Sequence, residues 1–199
     1  MGRQPAGVIL AAGASERLGQ PKALVNLGGK PIVAWTYERL VRLGCHPVVI
    51  VTHAELAVDV MRAAPGAHVS INQNPKAGRT GSLQLGLASI QLELGTFPSR
   101  IIMAPVDRLG WSVRMMGLLL EAKGSVCPRA SGRMGHPVIL SRSDVELVTM
   151  AKPNTPLRDI LTFTGVDVEA PWLQINLDTP DDLQHILEHE EALVAHFGE

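Results

Sequence analysis

The reading turns on Val8–Lys22, VILAAGASERLGQPK. Its apolar opening, Val8-Ile9-Leu10-Ala11-Ala12, has the length of one buried strand. Gly13 ends the run, and the loop that follows carries Ser15, Arg17, Gly19, Pro21 and Lys22. A strand that opens into a glycine-bearing, basic loop suits phosphates. Glycine lets backbone N–H groups approach an anion, and Arg17 and Lys22 supply charge. The same residues also fit an ordinary strand-to-helix connection with exposed basic side chains. On physical grounds the two readings stand level.

Two common nucleotide signatures are absent. The dinucleotide fingerprint G-x-G-x-x-G fails because position 15 is Ser. The phosphate-binding loop G-x-x-x-x-G-K-[ST] fails because Gly29-Lys30 is followed by Pro31.

Working outward, strands and helices alternate. Leu27-Gly28-Gly29-Lys30 reads as a tight turn, and Pro31 opens a helix over 31–43 that stops at Gly44. Pro47–Val51 is a second buried strand, continuous rather than alternating, as in a parallel sheet covered on both faces. Thr52 is placed to cap a helix over 54–64, and 67–71 is a third strand. A polar loop over 72–81 leads into a helix over 80–94. Ile101–Ala104 forms a fourth strand that ends in Pro105-Val106-Asp107. A helix over 112–123, strands over 125–128 and 138–140, and a helical stretch over 143–165 broken at Pro153 and Pro156 follow. A last strand near 172–176 precedes Asp178-Thr179-Pro180-Asp181-Asp182. There Thr179 caps a helix that runs to about His196.

This order predicts a single-domain α/β fold, a mostly parallel open sheet flanked by helices, spanning 1–199. Ligands in such sheets bind outside the carboxyl ends of the strands. The 13–22 loop, the 74–82 loop and Asp107 all follow expected strands, so they converge on one edge.

Composition sets the frame. The chain has 199 residues, 46% hydrophobic and 19% charged, with net charge −1. That is enough for one substantial core, and it gives no basic surface for nucleic acid or an anionic membrane. No apolar stretch approaches a membrane span and the N-terminal run is too short for a signal segment, so a cytoplasmic location is expected. Cys45 and Cys127 are far apart and form no C-x-x-C pair, which predicts buried, reduced thiols.

The run Leu10–Lys22 matches L-A-A-G-x-S-x-R-x-G-x-P-K throughout. It resembles the signature of the nucleotidyltransferases related to molybdenum-cofactor cytidylyltransferase, the MobA-like NTP transferases. The resemblance implies a nucleotide-diphospho-sugar transferase-like, Rossmann-like fold. It divides the chain into a nucleotide-binding half, about 1–107, and an acceptor half, about 108–199. It also implies that Leu10, Ala11, Ala12, Gly13, Ser15, Arg17 and Lys22 bind the nucleotide.

Asp107, in MAPVD, reads by itself as a cap for the next helix or turn, and Asp178 reads as helix-start chemistry. A carboxylate beside a triphosphate can instead hold Mg²⁺ together with phosphate oxygens. The resemblance implies that Asp107 and Asp178 are the metal pair, although Asn176 stands where the family's second motif carries another acid. Asn74–Leu83 resembles the family's N-x-x-x-G-x-x-x-S-L loop, which implies that Gly78, Gly81 and Ser82 contact base and ribose. Locally, Thr80 also fits as the cap of that helix. Gly135-His136-Pro137 resembles the GHP segment of the cytidylyl subgroup and implies an acceptor-side role for His136 and the preceding Arg133. After Asp107 the chain departs from the family: Arg108-Leu109-Gly110-Trp111 replaces a segment with Pro two residues on. His185 and His189, one turn apart, read as a solvated helix face.

The implied reaction moves a nucleotidyl group from an NTP, CTP by the LAAG and GHP forms, to a phosphomonoester such as molybdopterin. Lys22, Arg17 and Asp107 would act at the reacting phosphate, and the product would pass to a molybdoenzyme or its chaperone. Two rivals stand beside it: a transferase acting on sugar phosphates or other small phosphomonoesters, and a non-catalytic nucleotide- or cofactor-binding module.

Overall fold

A computed structural model describes residues 4–199. Strand β1 (Ala6–Leu10) lies inside an eight-stranded sheet beside β4 (Val48–Thr52) and β6 (Arg100–Pro105), parallel to both. Outside β4 runs β5 (His68–Ile71), also parallel. On the other side of β6 come β9 (Val138–Ser141), β7 (Val126–Ala130) and β10 (Thr164–Asp167), with β8 (Arg133–Met134) paired to β7. Of these, β9 runs antiparallel to β6 and β7, and β8 antiparallel to β7; every other pairing is parallel. A separate small hairpin joins β2 (Asn26–Leu27) to β3 (Lys30–Pro31). Its turn needs two consecutive left-handed residues, which Gly28 and Gly29 supply at φ 57° and 78°.

The continuous apolar strands divide by parity between two cores, as alternate side chains point to opposite faces. Ile9, Ile50, Ile102 and Ala104 face one core, which is closed by α1 (Ile32–Arg42), α4 (Val113–Glu121), α7 (Pro180–Glu188) and α8 (Glu190–Gly198). Val8, Val49, Val51, Ile101 and Met103 face the other, closed by α3 (Arg79–Leu94) and α5 (Arg142–Met150). Helix α2 (Ala57–Ala63) contributes Val60 to the first core. The chain steps from β1 outward through β4 to β5, then returns by α3 to β6 on β1's other side. That reversal opens a crevice at the carboxyl ends of β1 and β6.

Several expected elements are placed differently. The last strand of the sheet is β10, after a short α6 (Leu157–Ile160), and not 172–176. Residues 171–174 fold as a turn, with Ile175 N–H donating to the Trp172 carbonyl at 2.9 Å. Their apolar side chains serve the core without joining the sheet: Leu173 is buried, and Trp172 packs against the first core. The final helix breaks at His189 instead of running on to His196. Thr52 caps nothing; it donates to the Ala11 carbonyl at 3.3 Å, and a 3-10 turn over Ala54–Leu56 precedes α2.

Cys45 and Cys127 are free and buried, and burial pushes the Cys45 thiol up to about 12, far from a reactive thiolate. No helix among the described residues is long and apolar enough to cross a membrane.

Candidate active site

A cleft of about 630 Å³ occupies the crevice between β1 and β6. Its floor is the loop after β1. Ser15 takes a left-handed backbone (φ 55°), and its hydroxyl accepts from the Lys22 N–H at 3.2 Å. It also faces the Gly13 carbonyl at 3.4 Å. The hydroxyl therefore folds the loop back on itself and delivers Lys22 to the centre. A Cβ built on Gly13 would meet nothing within 4 Å, so this backbone borders open space.

At the centre, Lys22 Nζ donates to Asp178 Oδ1 at 2.6 Å and lies 3.8 Å from Asp107 Oδ2. Arg17 pairs with the other oxygen of Asp178. Two backbone devices bring the carboxylates together. The Leu177 N–H donates to the Asp107 carbonyl at 2.9 Å, tying the strand end to the segment before α7. A capping box then fixes that segment: the Thr179 hydroxyl accepts from Asp182 N–H at 3.2 Å, and Asp182 Oδ2 accepts from the N–H groups of Thr179 and Asp178. Helix-start chemistry thus falls to Thr179 and Asp182, which leaves the Asp178 side chain to the cleft. The Lys22 hydrogen bond, backed by the charges of Lys22, Arg17 and Arg108, holds the Asp178 carboxyl below the usual range. Asp107 caps no helix either, because Ser112 caps α4.

The second wall is the entry to α3. Gly78 occupies its N-cap, and Gly78, Arg79 and Ser82 line the cleft, where the helix N-terminus favours anions. Ser82 Oγ accepts from the buried Asn72 Nδ2 at 2.9 Å, which ties the two ends of the 72–82 loop. Thr80 is not the cap; its hydroxyl donates to the Thr155 carbonyl at 2.6 Å. Gly81 does not line the cleft; its N–H donates to the Pro153 carbonyl at 3.0 Å, and a Cβ built on it would lie 3.1 Å from that proline's side chain.

Leu10, Ala11 and Ala12 line the cleft with the residues above. Arg133 does not; it lies exposed on β8. Nor does His136 line it; burial, Arg108 and Arg79 lower its pKa to about 4 against a weaker opposing pull from Asp107. It is therefore a neutral imidazole near pH 7.

Sequence reasoning passed over Lys76, Arg79 and Arg108 as site groups, although all three lay in quoted segments. With Arg17 and Lys22 they make five basic side chains in the lining against three acidic ones, Glu16, Asp107 and Asp178. The excess favours a polyanion. Asn176 also lines the cleft, with a buried Oδ1 that has no hydrogen-bond partner among the described residues. The chemistry of these donors fits a hard divalent cation: two carboxylates with a cationic ammonium between them, an orphan amide oxygen nearby, and room for phosphate oxygens.

The segment after Asp107 belongs to the core as much as to the cleft. Arg108 lines the cleft, whereas Leu109 and Trp111 are buried. Arg39, itself 1% exposed, donates to the Leu109 carbonyl at 3.0 Å and to the Trp111 carbonyl, and stacks 3.8 Å over the Trp111 ring. A Cβ on Gly110 would lie 1.6 Å from the Trp172 carbonyl oxygen, so only glycine fits that crossing.

The chain has relatives among known proteins. The family model described as the MobA-like NTP transferase domain matches residues 7–168. A protein of Paenarthrobacter nicotinovorans named nicotine blue oxidoreductase is 30% identical over 183 residues, covering 88% of this chain and 87% of the relative. A probable molybdenum cofactor guanylyltransferase of Opitutus terrae is 27% identical over 127 residues, 64% of this chain and 61% of its own length. The crystal structure of Rv0371c from Mycobacterium tuberculosis H37Rv superposes with TM-score 0.76 at 22% identity, covering 94% of this chain and 99% of that one. The same protein solved as a manganese complex gives TM-score 0.71 at 21% identity, covering 93% and 98%.

Proposed function

We propose that this chain, which belongs to the MobA-like NTP transferase family and so to the nucleotidyltransferases, moves CMP from CTP onto the phosphate of molybdopterin with release of pyrophosphate. The observation that carries this reading is the position of Lys22 Nζ, 2.6 Å from Asp178 and 3.8 Å from Asp107, in a cleft with more basic than acidic side chains.

In the reaction an oxygen of the acceptor phosphate attacks the α-phosphorus of the NTP. A new P–O–P link forms, the bond from the α-phosphorus to the α–β bridging oxygen breaks, and pyrophosphate leaves. The acceptor's second phosphate pKa is about 6, so it arrives largely ionised and needs no strong base. The protein's work is positioning and charge neutralisation. Lys22 and Arg17 release Asp178 and turn to the triphosphate, with Lys22 meeting the charge that develops at the α-phosphorus. The backbone at Gly13 and the α3 N-terminus hold the phosphates, and Gly78 and Ser82 border base and ribose. Arg108 and Arg79 take the acceptor phosphate, and His136, neutral and near both, adds no charge of its own. Asp107 and Asp178 would hold a Mg²⁺ ion, which supplies further neutralisation of the phosphates; the manganese complex of the mycobacterial neighbour supports a divalent metal.

The name of the Opitutus terrae relative favours a second reading with GTP as donor. A third, in which the cleft serves a redox reaction, rests on the name of the P. nicotinovorans relative. Pyrophosphate release, measured with CTP, GTP, UTP and ATP in turn and molybdopterin as acceptor, separates them. Release with CTP supports the proposal, and release with GTP alone moves it to the second reading. Release with none of the four, whatever the acceptor, removes the transferase reading.

A further inference from the structure

The last turn of α7 carries His185 and Glu188, and His189 follows at its C-cap. Residues spaced three and four apart share one helix face. One donor atom from each of the three lies within 4.8 Å of the other two, the single such His, Cys, Asp or Glu grouping among the described residues. The two imidazole rings stand 4.6 Å apart, centroid to centroid.

The orientation of His189 is set from outside the cluster. Its Nδ1 lies 2.9 Å from the His185 carbonyl oxygen. A carbonyl can only accept, so Nδ1 carries the proton and Nε2 keeps its lone pair. A ring N–H given to a backbone carbonyl is the arrangement that fixes tautomer and direction in metal-bound imidazoles. Trp172 packs edge-on against the same ring at 5.4 Å and limits its rotation. Glu188 Oε1 accepts from Gln184 at 3.0 Å, which leaves the second carboxylate oxygen available.

We propose that His185, Glu188 and His189 form a surface site for a divalent transition metal of the zinc class, with its remaining coordination positions open to water or an external ligand. Two imidazole nitrogens and one carboxylate oxygen suit Zn²⁺, Co²⁺ or Ni²⁺. They do not suit Mg²⁺, which prefers an all-oxygen octahedron such as Asp107 and Asp178 with phosphates would give. The site is thus chemically separate from the cleft. It adjoins the segment after Asp107, because Trp172, which touches His189, is also the residue that crosses Gly110.

The test uses the full chain, free of Mg²⁺ and nucleotide, titrated with Co²⁺ and read by its visible d–d absorption, with Zn²⁺ added as competitor. The expected result is one Co²⁺ per chain, displaced by Zn²⁺ and retained in Asp107→Asn. The double variant His185→Ala/His189→Ala should lose it while keeping its far-ultraviolet circular dichroism, since alanine is the best helix former. Glu188→Gln should weaken binding by at least about tenfold, the lower bound for loss of even an outer partner of a metal site. Undiminished binding in the double variant would overturn the proposal and move the ion elsewhere. One such place is the pair His46 and His68, which flank Glu93 at 3.8 and 3.1 Å. Binding that vanishes in Asp107→Asn, or no Co²⁺ band in the wild type, would overturn it as well. None of these outcomes depends on the transferase reading.

Discussion

Lys22 Nζ and Asp178 Oδ1 sit 2.6 Å apart, although the two residues come from opposite ends of the chain. The pair ties the loop after β1 to the entry of α7 and places a cation where phosphate chemistry needs one. It also makes stability depend on pH. The folded Asp178 carboxyl titrates below its ordinary value, chiefly because Lys22 hydrogen-bonds it. A depressed folded pKa contributes stability that is fully present above the unfolded value, about 3.9, and is lost as pH falls through the folded one. Asp178→Asn should therefore lower stability at pH 7 by under about 1 kcal/mol, given the partial exposure of the pair. The difference from wild type should vanish near pH 2, as read by urea denaturation at both pH values.

His136 works with the same sign, over a higher pH range. Burial lowers its folded pKa from 6.5 to about 4, so below pH 6.5 the unfolded state takes up a proton that the folded state refuses. Stability falls from pH 6.5 to 4 by on the order of 3 kcal/mol from this group. His136→Gln should flatten that limb, and an NMR titration of the imidazole should show no charge change between pH 5.5 and 8.

The crossing of Gly110 with Trp172 leaves no room for a side chain. Gly110→Ala forces backbone apart in a buried segment and should cost about 3 kcal/mol, seen as a lowered thermal midpoint.

Arg39 holds the same segment from below. Burial drives its pKa well below the ordinary arginine value, yet its Nε donates to the Trp35 carbonyl and its Nη1 to the carbonyls of Leu109 and Trp111. Arg39→Met keeps much of the packing but takes the side-chain donor from the Trp111 carbonyl, while the Leu109 carbonyl keeps the Trp111 N–H; a buried carbonyl left unsatisfied costs roughly 1–3 kcal/mol. A loss of at least about 2 kcal/mol in chemical denaturation is expected.

What the sequence revealed, and what it hid, follows from the range of the forces involved. Val8–Lys22 was legible because strand, glycine loop and basic residues are neighbours in sequence. The covered parallel sheet was legible because both faces of each strand are apolar. Asp178 was ambiguous because Asp-Thr-Pro-Asp satisfies a helix start by itself; only the fold shows Thr179 and Asp182 performing the capping. Arg39 gave no signal, since nothing local distinguishes an arginine that packs under Trp111 from one that faces water. The turn at Trp172 was read as a strand because buried apolar residues look alike until their hydrogen bonds are known. Arg108 was visible as a departure from the family, but its place in the cleft lining depends on how Arg39 and Trp172 fix the segment around it.

The central claim is that Asp107, Asp178 and Lys22 form a metal-assisted nucleotide site. Calorimetric titration of CTP with and without Mg²⁺, on wild type and Asp107→Asn, tests it most directly. The account predicts CTP binding by the wild type that requires Mg²⁺ and weakens by at least about tenfold in Asp107→Asn, the loss of one charge-assisted contact of about 1.5–3 kcal/mol. Absence of binding to CTP and GTP alike, or binding equally tight without Mg²⁺ and in Asp107→Asn, would contradict it.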